Sequence, residues 1–218
     1  MNRFLSLSCK IFLKPIVDRV LIKKVEGLEN VPKSNFILAA NHQSHLDQIA
    51  TGYVCVPRRF HMIGQIDRYT GFLGILRDII YKITGVIPVN RKDPLSKKKA
   101  IEKAKEVLEK GDILVIYPEG TRSRTGKLQP PKLGIAKIYL KTGVPILPVG
   151  IKGTFKLLPP GKVFPIFQRE VIIKVGKPLF FIKERERAKN LKEDSPEYKE
   201  ICKKIAQKVM EEIEKLLL

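Results

Sequence analysis

The run Asn35-Phe36-Ile37-Leu38-Ala39-Ala40, followed by Asn41-His42-Gln43-Ser44-His45-Leu46-Asp47, decides the fold of this chain. Residues 35–40 form a short, unbroken apolar run. A strand reads that way when both of its faces are covered, as in a parallel sheet with helices on each side. Polar residues then intervene, and a helical pattern follows over 45–56. Strand, polar loop and helix in that order start a βα unit. The polar loop therefore sits beyond the carboxyl end of a strand, where open α/β sheets place their ligands.

The alternation continues outward from this point. Strands are expected at 59–64, 85–89, 112–117, 144–152 and 170–175, and helices at 69–83, 93–110, 131–142 and 196–217. Ser195-Pro196 fits the last helix start, with serine capping and proline in the first turn. Residues 159–161 (Pro-Pro-Gly) mark a turn, and the charged stretch 183–200 reads as a solvated surface. The fold class is α/β: a single domain with a mixed, mostly parallel sheet flanked by helices. A length of 218 residues suits one such domain. With 44% hydrophobic and 29% charged residues, disordered and collagen-like chains are excluded. Ahead of the domain, Leu5, Cys9, Phe12, Ile16 and Val20 recur every three or four residues. That spacing gives an amphipathic helix over 1–24, bent near Pro15. Residues 25–218 form the α/β domain, including a C-terminal amphipathic helix. The N-terminal helix fits a membrane interface or a cap on the core equally well.

Lys plus Arg is 42 against 22 for Asp plus Glu, a net charge of +20. The excess calls for an anionic partner: a nucleic acid, an acidic membrane or a phosphorylated substrate. An aromatic RNA-binding patch, a zinc finger and a helix-turn-helix pattern are all missing, so nucleic acid is not expected. Three scattered cysteines without a CxxC pair argue against a disulfide framework or zinc, and for a reducing compartment. No stretch approaches the roughly 18–20 apolar residues that span a bilayer. The expectation is a peripheral or monotopic protein on the cytoplasmic face of the membrane. Phe4, Leu5, Phe12 and Leu13 would enter the lipid, and Lys10, Lys14, Lys23 and Lys24 would meet acidic headgroups.

Two clusters carry chemistry. His42 and Asp47 lie five residues apart and on one helix would point about 140° apart. With His42 ending the strand and Asp47 in the turn that follows, the carboxylate can instead fold back onto an imidazole nitrogen, leaving the other nitrogen as a base. The second cluster, Tyr117-Pro118-Glu119-Gly120-Thr121-Arg122-Ser123-Arg124, follows the apolar run 113–116. Its hydroxyls, flexible glycine and guanidiniums suit a phosphate. Two further runs stand out: 85–91, which ends in Arg91, and 143–149, which carries two prolines that are odd inside a central strand. Walker, GxGxxG, GxSxG and HExxH patterns are absent, and no metal site is expected.

Taken in order, these four runs resemble the glycerolipid acyltransferase family of the 1-acylglycerol-3-phosphate acyltransferases. Residues 41–47 match its NHxxxxD block, 85–91 its second block, 119–123 its EGTRS block and 144–149 its proline-bearing fourth block. Lys132-Leu133-Gly134 resembles the basic-Gly stretch between the last two. Gln65 departs from the pattern, standing where a basic residue is common. The resemblance covers residues 25–180 or so. It implies transfer of an acyl group from a thioester, on acyl-carrier protein or coenzyme A, to the hydroxyl of lysophosphatidic acid. His42 would be the general base and Asp47 its orienter. Glu119, Gly120, Thr121 and Arg122, with Arg91, would hold the glycerol phosphate. No cofactor is implied. Without an activated Ser or Cys, direct transfer is expected; Ser44 and Cys55 are the nearby rivals. Charge alone would equally suit a non-catalytic protein on an anionic membrane or nucleic acid, and another lysolipid could replace the acceptor.

Overall fold

The computed structural model describes residues 3–66, 71–193 and 195–218. Its centre is a seven-stranded sheet among the described residues. In chain order the strands are β1 (Ile22–Glu26), β2 (Ile37–Ala40), β3 (Phe60–Gln65), β4 (Ile87–Val89), β5 (Ile113–Ile116), β6 (Ile146–Lys152) and β7 (Val171–Val175). They lie in the order β1-β7-β6-β2-β5-β3-β4. β6, β2, β5, β3 and β4 are mutually parallel. β7 runs antiparallel to β6, with β1 parallel to it. The sheet is thus mixed and mostly parallel.

The helices are α1 (Arg3–Ser8), α2 (Lys14–Val20), α3 (Leu46–Cys55), α4 (Gly71–Thr84), α5 (Pro94–Glu109), α6 (Gly134–Thr142), α7 (Thr154–Leu157), α8 (Ile182–Ala188) and α9 (Pro196–Leu217). From β2 the chain moves one way along the sheet through α3 and α4, then returns through α5 and α6. Right-handed crossovers place the two sets on opposite faces. Ile37, Ala39, Leu114 and Ile146 pack with α5, α6 and α9, while Phe36, Leu38, Val115, Leu147 and Val149 pack with α2, α3 and α7. Because both faces are covered, β2 is buried at every position, which is why its sequence does not alternate. In α9, Tyr198, Ile201, Cys202, Ile205, Val209 and Ile213 are buried at helical spacing. Ser195 caps it by accepting from the Tyr198 N–H, 3.2 Å away. Gly150 of β6 lets α9 close in: a Cβ there would stand 2.7 Å from Leu216 Cβ.

Two expectations need correcting. The N-terminal helix stops at Val20, and residues 22–26 form β1, an edge strand that starts in Ile22 and carries Lys23 and Lys24. The sequence Ile-Lys-Lys-Val-Glu is too short and too charged to announce a strand; pairing with β7 supplies the order that propensity does not. Positions 1 and 2 of the expected helix lie outside the described residues. The bend near Pro15 takes the form of a π turn over Cys9–Leu13, where the Lys14 N–H reaches Cys9 O. Pro15 cannot continue the regular ladder, and the extra residue relieves the clash. Second, Pro148 lies inside β6, opposite Ala39 of β2. Its carbonyl accepts from Gly176 N–H at 2.9 Å on the β7 side, just past the end of that strand. Its missing N–H would face the same side, where β7 has already ended at Val175, so only the terminal rung of that pairing is given up. The charged stretch 183–200 is mostly exposed, and α8 occupies its start. The helix expected over 69–83 is observed as α4; positions 69 and 70 lie outside the described residues.

Candidate active site

β2 and β5 are neighbours, and their carboxyl ends deliver the two clusters side by side. Asn41 ends β2 by using its side chain as a ladder rung. Its Nδ2 donates to Ile151 O at 2.9 Å, and its Oδ1 accepts from Ile151 N–H at 2.8 Å. The chain then turns so that one oxygen of Asp47 serves three donors. Asp47 Oδ2 accepts from the backbone N–H groups of Gln43 (2.6 Å) and Ser44 (2.7 Å) and lies 2.9 Å from His42 Nδ1. Since a carboxylate only accepts, Nδ1 carries the proton, and Nε2 keeps a free lone pair. Asp47 is fully buried, at the start of α3, while the His42 side chain remains 13% exposed. The face of His42 stacks on Tyr117, with ring centroids 4.0 Å apart and planes 13° from parallel. The Tyr117 hydroxyl lies 3.1 Å from Thr51 Oγ1 on α3.

Glu119 joins the two clusters. Its Oε1 accepts from the His42 N–H at 2.7 Å and its Oε2 from the Gln129 N–H at 2.9 Å. The Ser123 N–H returns a bond of 2.8 Å to His42 O. Glu119 is 1% exposed, and burial pushes its carboxyl up to about 7 against the opposing pull of the two N–H bonds. Gly120 has φ +71°, the left-handed region, and its Cβ would crowd Lys132 Cγ at 3.2 Å. Arg91, two residues past β4, donates from Nη1 to Gly120 O at 2.9 Å. Arg122 is half-buried and Thr121 exposed, next in the same loop.

His42, Arg91, Tyr117, Glu119, Gly120, Thr121 and Arg122 border one cleft of about 2020 Å³. Its lining combines Arg91, Arg122, Arg124, Lys132 and Lys137 with Leu13, Val17, Tyr53, Met62, Leu76 and Ile80. A cleft that holds a histidine among cationic and apolar side chains suits an amphiphile with an anionic head. The remaining predicted residues sit on the N-terminal segment. Leu13 borders the cleft and is exposed, Phe4 and Phe12 are exposed, and Leu5 is half-buried. The two rival nucleophiles are otherwise occupied. Ser44 is buried and donates to Leu158 O at 2.8 Å, and burial pushes the Cys55 thiol far up. Tyr117 heads the second cluster, but the sequence does not announce that its ring stacks on His42, and Gln129 is not singled out at all; nothing in the order of residues points from Glu119 to a backbone N–H ten positions on.

A family model described as Acyltransferase matches residues 23–152, and the chain belongs to that family. A chloroplastic 1-acyl-sn-glycerol-3-phosphate acyltransferase of Brassica napus is 33% identical over 162 residues, 72% of this chain and 44% of that protein. One from Borreliella burgdorferi is 36% identical over 137 residues, 60% of this chain and 51% of its own length. The crystal structure of the 1-acyl-sn-glycerophosphate (LPA) acyltransferase from Thermotoga maritima matches with a TM-score of 0.56 at 29% identity, covering 86% of this chain and 70% of that one. The chain spans about half the length of the curated relatives it matches.

Proposed function

We propose that this protein moves a fatty acyl group from a thioester, on acyl-carrier protein or coenzyme A, to the sn-2 hydroxyl of 1-acylglycerol-3-phosphate, giving phosphatidic acid. The single observation that carries this reading is the 2.9 Å bond between His42 Nδ1 and Asp47 Oδ2 at the edge of the cleft. It leaves Nε2 as a base of fixed tautomer. As the acceptor oxygen attacks the thioester carbonyl, Nε2 takes its proton, and Asp47 stabilises the imidazolium. Collapse of the tetrahedral adduct breaks the C–S bond, and the imidazolium returns the proton to the departing thiolate. Transfer is direct, because Ser44 and Cys55 are buried and unactivated.

Arg122, Gly120 and Thr121, with Arg91, hold the glycerol phosphate. Glu119 belongs to the same loop but spends both oxygens on backbone donors. Its part is to fix that loop against His42. Among the described residues no helix is long and apolar enough to cross a membrane. The enzyme meets its lipid from the cytoplasmic face as a peripheral protein, with Phe4, Leu5, Phe12 and Leu13 at the lipid and anionic headgroups against its basic surface.

The test is an acceptor screen on the purified chain, with acyl-carrier-protein and coenzyme A thioesters each offered lysophosphatidate, other lysophospholipids and a lyso-aminolipid. Lysophosphatidate should be preferred. His42→Ala should lower turnover by about 10²–10⁴-fold, the usual contribution of a general base. Retention of more than about a tenth of the wild-type rate would remove His42 from that role.

A further inference from the structure

Between α7 and β7 the chain makes a loop, residues 158–170, whose apolar side chains turn outward. Val163 is 79% exposed, Phe164 86%, Ile166 57% and Phe167 72%. Contiguous exposure of this kind marks an interaction surface on a soluble domain. The loop is not loose chain. The Ile166 N–H bonds Leu157 O at 2.9 Å, the Lys162 N–H bonds Pro159 O at 3.1 Å, and Arg169 Nε bonds Ile22 O at 2.8 Å. Pro159, Pro160 and Pro165 restrict it further. Its apolar tips are therefore held in water by a fixed backbone.

Its position suggests the occupant. β6 runs parallel to β2, and β7 and β1 run opposite to both. The end of β6, the start of β7 and the start of β1 therefore share the end of the sheet that carries His42. The loop's first residues adjoin the site, since Leu158 O accepts from Ser44 Oγ and Pro160 and Gly161 border the cleft. Its last residues touch the α2–β1 junction through Arg169. Residues 151–169 contain Lys152, Lys156, Lys162 and Arg169 and no acidic residue. Glu170, the loop's last residue, pairs with Lys156 at 2.9 Å, which leaves the flanks with a net positive charge. Apolar tips between such flanks match an anionic lipid leaflet, in which the tips pass the headgroups and the cations stay among them.

We propose that residues 162–169 are a second membrane-contacting element, inserting Val163, Phe164 and Phe167 into an anionic leaflet at the mouth of the cleft. Together with the N-terminal helix it sets two lipid contacts beside the site, so that the opening faces the bilayer. The orientation rests on the lipid substrate proposed above; the insertion itself does not.

The sequence has no tryptophan, so Phe164→Trp supplies a sole indole. On addition of vesicles of equal parts phosphatidylcholine and phosphatidylglycerol, its emission should shift to the blue and be quenched by lipids brominated high on the acyl chain. Phe180→Trp, exposed beyond the far end of β7 and so at the opposite end of the sheet, should respond to neither. Phe164→Ser/Phe167→Ser should weaken partitioning about tenfold and leave turnover of a monomeric short-chain acceptor unchanged. An indole of Phe164→Trp that stays in water, whether or not the vesicles sediment the protein, overturns the proposal. So does a blue shift that follows protein concentration without lipid, which would assign the loop to a second copy of the chain. Failure of every acceptor in the turnover assay would instead sink the proposed reaction and leave the fluorescence result standing.

Discussion

His42 is gripped on its edge by Asp47, on its face by Tyr117 and through its backbone by Glu119 and Ser123. Glu119 is the residue whose chemistry can be isolated from the reaction. Its carboxyl is raised from 4.5 to about 7 by burial, so the folded protein holds a proton there that the unfolded chain has released. That contribution to stability is complete below about pH 4.5, shrinks as pH rises and is gone above about 7. Glu119→Gln removes the titration and sets an NH₂ against one of the two backbone donors. We expect it to cost about 1–3 kcal/mol and to flatten the stability profile between pH 4.5 and 7. Urea titrations of both proteins across that window decide the matter, and parallel profiles would mean that Glu119 does not titrate there. Arg122 belongs at the same scale. Losing a charge-assisted contact worth about 1.5–3 kcal/mol predicts that Arg122→Ala cuts kcat/KM roughly 10–150-fold for a phosphate-bearing acceptor. Run beside an acceptor without the phosphate, an equal loss for both would show that Arg122 does not read the phosphate.

Between elements, the junction of β2 with β6 holds the site open at the right place. Asn41 replaces two backbone partners of Ile151 with one side chain, and all of these groups are buried. Asn41→Ala orphans an N–H and a C=O at once, each worth about 1–3 kcal/mol when buried without a partner. The variant should unfold at clearly lower denaturant, and turnover per folded molecule should fall as the loop carrying His42 loses its anchor. A midpoint unchanged from wild type would show that water takes over both bonds. Asn41 also shows how far the sequence could be read. The apolar runs of β2 and β5 announced buried strands because burial on both faces leaves its mark on every residue, and the polar clusters after them were visible as breaks in those runs. β1 left no such mark: it is a short, charged edge strand without regular alternation, ordered by a neighbour about 150 positions on. The partners of Glu119 were hidden for another reason, since a backbone N–H has no letter in the sequence. The two readings of the N-terminal helix, membrane contact or core cap, divide along its length. Val17 and Leu21 are buried beneath it, while Phe4 and Phe12 stand in solvent.

Over the whole molecule, charge and exposed apolar surface act on the same target with different responses to salt. On the membrane-surface reading proposed above, the net charge of +20 attracts an anionic leaflet, at about 1 kcal/mol for each basic residue near the headgroups. Three such residues together are worth about 3 kcal/mol, roughly a hundredfold in affinity. At about 0.15 M salt the screening length is roughly 8 Å, and near 1 M it shrinks to about 3 Å. Binding to vesicles containing phosphatidylglycerol should therefore fall by one to two orders of magnitude across that range. The binding that survives high salt belongs to apolar side chains. Removing all of residues 1–22 would not isolate these, because Val17, Leu21 and Ile22 are part of the core and Ser6 is buried with its hydroxyl on Arg58 O. Phe4→Ser/Phe12→Ser spares those contacts. Its thermal midpoint should stay at the wild-type value, and its high-salt cosedimentation should drop by about tenfold. Its low-salt binding should keep the wild-type slope against salt, since no charge has changed. Turnover of a membrane-embedded acceptor should fall with vesicle occupancy, while turnover of a monomeric short-chain one holds. If the double variant instead lost thermal stability with vesicle binding intact, the N-terminal helix would be a lid on the core along its whole length, and the lipid contact would lie elsewhere on the protein.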